Sequence, residues 1–140
     1  MTHKILIVDD EESVLYVVKQ AFAGHCEVLT AQDGEAGIEI IKKEKPSLVF
    51  LDIAMPGMSG IKVLELIKDL GLDTIVWMLT GNEDIETATC TLKGGARGYL
   101  TKPFDITRMR TVVFNTLLDL EKTKNEAMAE DKPWHVEKKK

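Results

Sequence analysis

The chain has 140 residues, and its 18 Lys and Arg against 23 Asp and Glu leave a formal net charge of −5. This length suffices for one domain that buries a core without metal or disulfide staples, and contents of 44% hydrophobic and 29% charged residues argue against a disordered chain. The acidic balance disfavours direct nucleic-acid binding through a basic face, and no apolar run approaches the ~20 residues that span a membrane.

The beginning of the chain and its cysteines indicate a reduced, cytoplasmic protein. The first apolar run, residues 5–8, is too short to serve as a signal peptide. Only two cysteines occur, Cys26 and Cys90, and they form no CxxC pair. We expect both to be free, buried or half-buried apolar groups.

Short apolar runs alternate with segments of helical period along the chain. The runs are typical of strands buried on both faces, and they lie at residues 5–8, 28–29 with their flanks, 48–51, 75–79 and 99–100. Between and after them, apolar residues repeat at intervals of three and four, which indicates amphipathic helices. The alternation predicts one α/β domain of (βα)₅ type, a doubly wound parallel sheet with helices on both faces.

Residues that begin and end helices support this division. Side chains that can accept hydrogen bonds from unpaired N–H groups stand just before the predicted helices, namely Asp33, Ser59, Asn82 and Asp105. Glycines are expected to end helices in a left-handed conformation, namely Gly24, Gly71 and the pair Gly94–Gly95. We expect the fifth helix to continue a turn or two past Leu120 and then fray, and Pro133 to end any helix before Trp134.

Charged and hydroxyl side chains follow four of the predicted strands, at the point where each strand ends. Asp9 and Asp10 follow the first strand, Asp52 the third, Thr80 ends the fourth and Lys102 follows the fifth. Each residue taken alone is more often a helix cap or a turn. Because ligands of open parallel sheets bind outside the carboxyl ends of the strands, their joint placement predicts a site.

The charges at this edge indicate what the site binds. Two carboxylates about 4 Å apart repel by about 4 kcal/mol at an effective dielectric near 20, so three need positive charge or a raised pKa. Lys102 offsets one charge, and Mg²⁺ or Mn²⁺ would offset the rest, since both prefer oxygen ligands. A cation beside a carboxylate, a lysine and a hydroxyl can receive a phosphoryl group, with the carboxylate as nucleophile.

Five short motifs resemble those of a known protein family. The motifs are Asp9-Asp10, Asp52, Met-Pro-Gly-Met-Ser-Gly at residues 55–60, Thr80-Gly81 and Lys102-Pro103. In this order and spacing they resemble the receiver domain of a response regulator from a two-component system, over about residues 4–120. The resemblance implies a flavodoxin-like sheet with strand order 2-1-3-4-5, the order that a chemotaxis receiver also has.

The resemblance also implies roles for the residues at the site. Asp52 would accept the phosphoryl group from a phosphohistidine of a sensor histidine kinase or phosphotransfer protein. Mg²⁺, with Mn²⁺ as a substitute, would be bound by Asp9, Asp10, Asp52 and the backbone carbonyl of Ala54. Lys102 would pair with the phosphoryl group, and its bond to Pro103 would be cis.

Two further residues would convert phosphorylation into a change of shape. Thr80 would hydrogen-bond the phosphoryl group and move toward it, and Tyr99 would turn inward when Thr80 moves. The face formed by helix 4, strand 5 and helix 5 would change as a result and act on an output domain or a downstream protein. Such a protein is a phosphorylation-activated regulator rather than a turnover enzyme, although it assists its own phosphorylation and dephosphorylation.

Three other functions remain as alternatives. A receiver-like module could bind partners without being phosphorylated. An aspartyl-phosphate phosphatase would need Asp-x-Asp, but Ala54 stands at the second place. A flavin carrier is disfavoured because the acids at residues 9–12 would repel a flavin phosphate.

The last residues indicate where the domain ends. We expect residues 1–123 to form the receiver domain and residues 124–140 to be a charged tail or the start of a linker. An output domain does not fit in the last twenty residues, so the chain is expected to be a single-domain regulator or part of a longer protein. A homodimer through the helix 4–helix 5 face is left open.

Overall fold

A computed structural model describes residues 3–81 and 84–129. Its strands are β1 Lys4–Val8, β2 Glu27–Ala31, β3 Leu48–Asp52, β4 Ile75–Thr80 and β5 Gly98–Thr101. Its helices are α1 Glu12–Ala21, α2 Gly34–Glu44, α3 Gly60–Asp69, α4 Ile85–Lys93 and α5 Ile106–Ala129. Strands and helices alternate throughout, which confirms the predicted (βα)₅ architecture.

The five strands form one parallel sheet in the order β2-β1-β3-β4-β5, as the resemblance implied. Val8 lies between Ala31 of β2 and Leu51 of β3, and Thr80 pairs with Thr101 of β5. The register therefore brings the carboxyl ends of β1, β3, β4 and β5 to one edge of the sheet.

Helices cover both faces of the sheet. Alternate residues of β1 point in opposite directions, so Leu6 and Val8 pack under α2, α3 and α4, whereas Ile5 and Ile7 pack under α1 and α5. All five residues of β3 are buried because this strand is central and covered on both sides. The continuous apolar runs of the sequence follow from this double coverage.

Three of the four predicted cap residues accept backbone hydrogen bonds. Asp33 and Ser59 each accept from the N–H three residues on, at 2.8 and 3.3 Å, and Asp105 accepts from the N–H two residues on at 2.9 Å. Asn82 lies outside the described residues.

The predicted helix ends need one correction. Gly24, Gly71 and Gly95 have φ of 85°, 66° and 113°, as expected, but Gly94 has φ −84° and is not left-handed. Lys45, for which no such conformation was expected, ends α2 with φ 51°. The short turn between α2 and Pro46 places a left-handed residue at position 45. Such a conformation is normally predicted only for glycine, so nothing in the sequence indicated that a lysine would adopt it.

Helix α5 extends further than the sequence indicated. It ends at Ala129, nine residues after Leu120, or about 2.5 turns. The helix therefore continues past residue 123, and the domain boundary expected there stays a prediction. Arg110 donates to the carbonyl of Ala21 at 3.1 Å and so joins α5 to α1. Pro133 and Trp134 lie outside the described residues.

The expectation for the cysteines is confirmed in part. Both cysteines are free, and Cys26 is half-buried as expected, but Cys90 is exposed because it lies on the outer side of α4.

None of the helices in the described residues has the length and the apolar character needed to cross a membrane.

Candidate functional site

Three aspartates meet at the carboxyl edge of the sheet. Asp9 follows β1 and donates its N–H to the carbonyl of Ala31 at 3.0 Å, while Asp52 is the last residue of the neighbouring strand β3. One carboxylate oxygen from each of Asp9, Asp10 and Asp52 lies within 4.8 Å of the other two. Parallel pairing of β1 and β3 thus joins side chains that are 43 residues apart in the sequence (Asp9 to Asp52).

Asp9 is the most deeply buried of the three. Its side chain has no exposed surface, and Oδ1 accepts the N–H of Glu11 at 2.9 Å. Oδ2 lies 2.8 Å from Lys102 Nζ as an ion pair, yet it has no partner in hydrogen-bond geometry among the described residues. A buried carboxylate oxygen without a hydrogen bond is costly unless a cation lies beside it.

Lys102 is the cation shared by these acids. Its Nζ lies 2.8 Å from Asp9 Oδ2, 2.9 Å from Glu11 Oε1 and 3.3 Å from Asp52 Oδ2. Burial by itself lowers the pKa of Lys102, but Asp9, Glu11 and Asp52 together outweigh burial, so its pKa is raised above the ordinary value. The lysine is therefore charged at neutral pH.

Asp52 is the acid with a strongly altered pKa. Its side chain is nearly buried; Oδ1 accepts the N–H of Ala54 at 3.3 Å, and Oδ2 accepts a hydrogen bond from Lys102. Burial, and after it the charge of Asp9, raise the pKa of Asp52 to about 7, against the opposing effect of Lys102. Loss of hydration on burial, with repulsion from Asp9 added to it, therefore explains the direction of the pKa shift.

The loop between β3 and α3 explains the glycines of residues 55–60. Gly57 has φ 76°, a conformation that glycine adopts without strain. Gly60 donates to the carbonyl of Ile53 at 2.9 Å, and a side chain at Gly60 would collide with the backbone of Asp52. The start of α3 is therefore held directly against the end of β3, which orders the backbone around Asp52 and Ala54.

Thr80 lies at the same edge, as expected. It is buried, and its hydroxyl donates to the carbonyl of Gly81 at 3.1 Å. Its own carbonyl accepts the N–H of Lys102 at 2.7 Å, which connects β4 directly to the residue that carries the site's cation. A hydrogen bond from Thr80 to a phosphoryl group stays a prediction.

Tyr99 lies one strand further along the sheet. It is half-buried in β5 and packs against the apolar cluster under α2, α3 and α4, whereas the next residue, Leu100, packs on the opposite face. The switching role of Tyr99 stays a prediction.

The peptide bond between Lys102 and Pro103 is cis, as the resemblance implied.

Glu11 is the site residue that sequence reasoning missed. The run of acids after Asp10 was evident, but any exposed acid at the start of a helix has an ordinary explanation as a favourable charge near the helix N-terminus. Only the structure shows that Glu11 contacts Lys102, which is 91 residues away in the sequence.

The donor set fits a hard divalent cation. Asp9, Asp10 and Asp52 offer carboxylate oxygens close enough to share one ion, and Asp9 Oδ2 lacks a hydrogen bond. Mg²⁺ and Mn²⁺ prefer such oxygen ligands, and one of them would balance the charge that Lys102 leaves over.

Comparison with known proteins identifies the family. The family described as "Response regulator receiver domain" matches residues 5–114. The chain belongs to this family. The receiver domain of NtrX from Brucella abortus, a solved structure, superimposes with a TM-score of 0.75 at 35% identity, over 81% of this chain and 97% of that one.

The curated relatives from Bacillus subtilis (strain 168) include the two that follow. Sporulation initiation phosphotransferase F is 33% identical over 115 residues, which cover 81% of this chain and 92% of the relative. The alkaline phosphatase synthesis transcriptional regulatory protein PhoP is 37% identical over 106 residues, which cover 74% of this chain and 44% of the relative. The receiver domain described here spans about half or less of the length of several curated relatives that it matches.

Proposed function

We propose that this receiver domain is a phosphorylation-activated switch whose Asp52 accepts a phosphoryl group from a sensor histidine kinase or a phosphotransfer protein. One observation carries the proposal. The nearly buried Asp52 carboxylate lies 3.3 Å from the Lys102 ammonium, and Asp9 and Asp10 lie within 4.8 Å of it. At this one edge of the sheet, Asp52 would supply the nucleophile, Lys102 the cation for the phosphoryl oxygens, and the three aspartates the metal ligands.

The transfer needs no other nucleophile. An oxygen of ionised Asp52 attacks the phosphorus of a phosphohistidine, the new O–P bond forms, and the P–N bond breaks with its electron pair left on the imidazole nitrogen. Lys102 stabilises negative charge on the transferred group. Mg²⁺, bound by Asp9, Asp10, Asp52 and the Ala54 carbonyl, would draw charge from the phosphoryl oxygens.

The phosphoryl group would then change the balance between two conformations. It adds negative charge and acceptor oxygens beside Lys102 and Thr80. Movement of Thr80 would let Tyr99 turn inward and so change the surface formed by α4, β5 and α5. An output domain or a downstream protein that contacts this surface would respond.

The role of the chain in its cell follows from this proposal. Residues 1–123 would form the receiver domain, and residues 124–140 would form a charged tail or begin a linker. Several matched relatives are longer than this chain, which is consistent with a separate output domain or partner. The protein would act in the cytoplasm as a regulator without steady turnover, and a homodimer through the α4–α5 face stays open.

Phosphorylation by a small donor tests the acceptor. The protein is incubated with acetyl phosphate and Mg²⁺, and intact mass spectrometry measures the addition of one phosphoryl group. We expect labelling that is lost with EDTA and absent in Asp52→Asn. Asp69→Asn is the matched control, because Asp69 is exposed at the end of α3 and should leave labelling unchanged. Labelling of Asp52→Asn at the original rate would place the acceptor elsewhere.

A further inference from the structure

Lys102 is surrounded by as many acids as it has hydrogen atoms to donate. Its Nζ lies within 3.3 Å of carboxylate oxygens from Asp9, Glu11 and Asp52. An ammonium group carries three N–H donors. A phosphoryl oxygen on Asp52 would therefore compete with carboxylates that already contact the Lys102 ammonium.

The partners differ in what their release would cost. The Asp9 side chain has no exposed surface, so without the lysine its charge would be buried and poorly compensated. The Glu11 side chain is 58% exposed, and water can replace the lysine there. Of the two acids other than the phosphorylated Asp52, Glu11 is thus the one that Lys102 leaves more easily.

Glu11 and Lys102 also line an open groove. A groove of about 390 Å³ opens between α1 and the segment after β5, and its lining includes Glu11, Lys102, Val14 and Phe104. Glu11 and Lys102 therefore contact each other on the wall of an open groove beside Asp52.

We propose that Glu11 is a positioning residue that holds the Lys102 ammonium in the unphosphorylated protein and releases it to the phosphoryl oxygens when Asp52 is phosphorylated. This inference rests on the proposed function. Because the ion pair with Glu11 exists only before the transfer, it stabilises the starting state and slows phosphorylation.

The neighbouring Glu12 provides a matched control. It is also an exposed acid at the start of α1, but its carboxylate accepts a hydrogen bond from Gln32 at 3.1 Å rather than from Lys102. Glu12→Gln removes the same charge as Glu11→Gln at nearly the same place. A difference between these two variants therefore reports the contact with Lys102 and not the general electric field.

Phosphoramidate with Mg²⁺ is the test reaction. An Asp52 oxygen bonds to phosphorus, the P–N bond breaks, and the protonated nitrogen leaves as ammonia. Intact mass spectrometry gives the rate at several donor concentrations. We expect Glu11→Gln to raise the maximal rate about threefold, a factor of the size expected for one partly exposed ion pair, whereas Glu12→Gln stays near the original rate. Thermal unfolding should be similar for both variants.

A second background shows whether Lys102 carries the effect. In Lys102→Gln, adding Glu11→Gln should leave the remaining rate unchanged. An equal acceleration by Glu11→Gln and Glu12→Gln, a slower Glu11→Gln, or an effect that persists without Lys102 would each overturn the inference while leaving Asp52 as the acceptor. If the unaltered protein is not phosphorylated at all, the proposed function fails and this inference fails with it.

Discussion

Both edges of the sheet place acids beside a lysine but arrange these groups differently. At the amino edge, Lys4 pairs with Glu44 at 2.8 Å and His3 with Glu121 at 3.1 Å, each acid with its own partner and in contact with water. At the carboxyl edge, Lys102 is shared by several acids. The first arrangement connects elements of the fold, whereas the second leaves negative charge without compensation.

The acids respond in opposite directions. A hydrogen bond from Lys4 and the charge of Lys4 lower the pKa of Glu44. Burial and the nearby Asp9 raise the pKa of Asp52 to about 7. An acid at the carboxyl edge therefore opposes folding at neutral pH until a cation binds, which is a common cost of a functional site.

Binding of a metal ion at the carboxyl edge should have the largest effect on stability. Mg²⁺ at one hundred times its dissociation constant should raise the free energy of unfolding by about 2.7 kcal/mol, because it binds only the folded protein. Urea unfolding with Mg²⁺ and with EDTA measures the difference. The Asp52→Asn variant should lose much of this gain, and no gain in the unaltered protein would contradict a cation site formed by the three aspartates.

Removing the shared lysine should give the next largest effect. Lys102→Ala should lower the free energy of unfolding in EDTA by about 2 kcal/mol, since Asp9 is left buried without its cation. Mg²⁺ binding should persist in this variant, but phosphorylation should no longer change the conformation. Amide hydrogen exchange over α4, β5 and α5 checks the second point. An unchanged response to phosphorylation would refute the role of Lys102.

Neutralising the proposed acceptor should stabilise the protein. In EDTA at pH 8, Asp52→Asn should raise the free energy of unfolding by about 1–2 kcal/mol, because an amide removes a charge that burial and Asp9 disfavour. In the unaltered protein, Asp52 keeps its proton up to a pH of about 7 when folded, but loses it near its ordinary pKa of 3.8 when unfolded.

The sign of the pH dependence follows directly. Between these two pKa values the folded state binds more protons, so the contribution of Asp52 to stability falls as pH rises from about 4 to about 7. Asp52→Asn should remove this component of the slope in urea titrations across that range. A slope identical to that of the unaltered protein would show that Asp52 is not the group responsible.

The smallest effect should come from the amino edge. Glu44→Gln should slightly lower the unfolding temperature, because it weakens a partly exposed ion pair with Lys4 that high salt also screens. The loss should be smaller than for Lys102→Ala and should vanish in high salt. A loss as large as that of Lys102→Ala would mean that the two edges do not differ as described.

Much of the architecture was predictable from the sequence because burial leaves a strong pattern. Residues 48–51 are continuously apolar because β3 is central and covered on both faces, and Asp33 and Ser59 act as caps through bonds to nearby N–H groups. The left-handed Lys45 and the full length of α5 were not predictable, because backbone geometry and tertiary packing overrode local propensity there.

The candidate site divides in the same way. The aspartates, Thr80 and Lys102 could be named in advance because each directly follows or ends a strand, and a parallel sheet gathers such positions at one edge. The contact between Glu11 and Lys102 could not, since it depends on the direction of two long side chains on separate elements. The alternation of apolar runs with amphipathic segments determined the succession of strands and helices along the chain and the edge of the sheet where the site residues meet. Only the tertiary structure decided which acids share the lysine and how deeply each is buried, because distances and solvent exposure arise from packing between segments far apart in the chain.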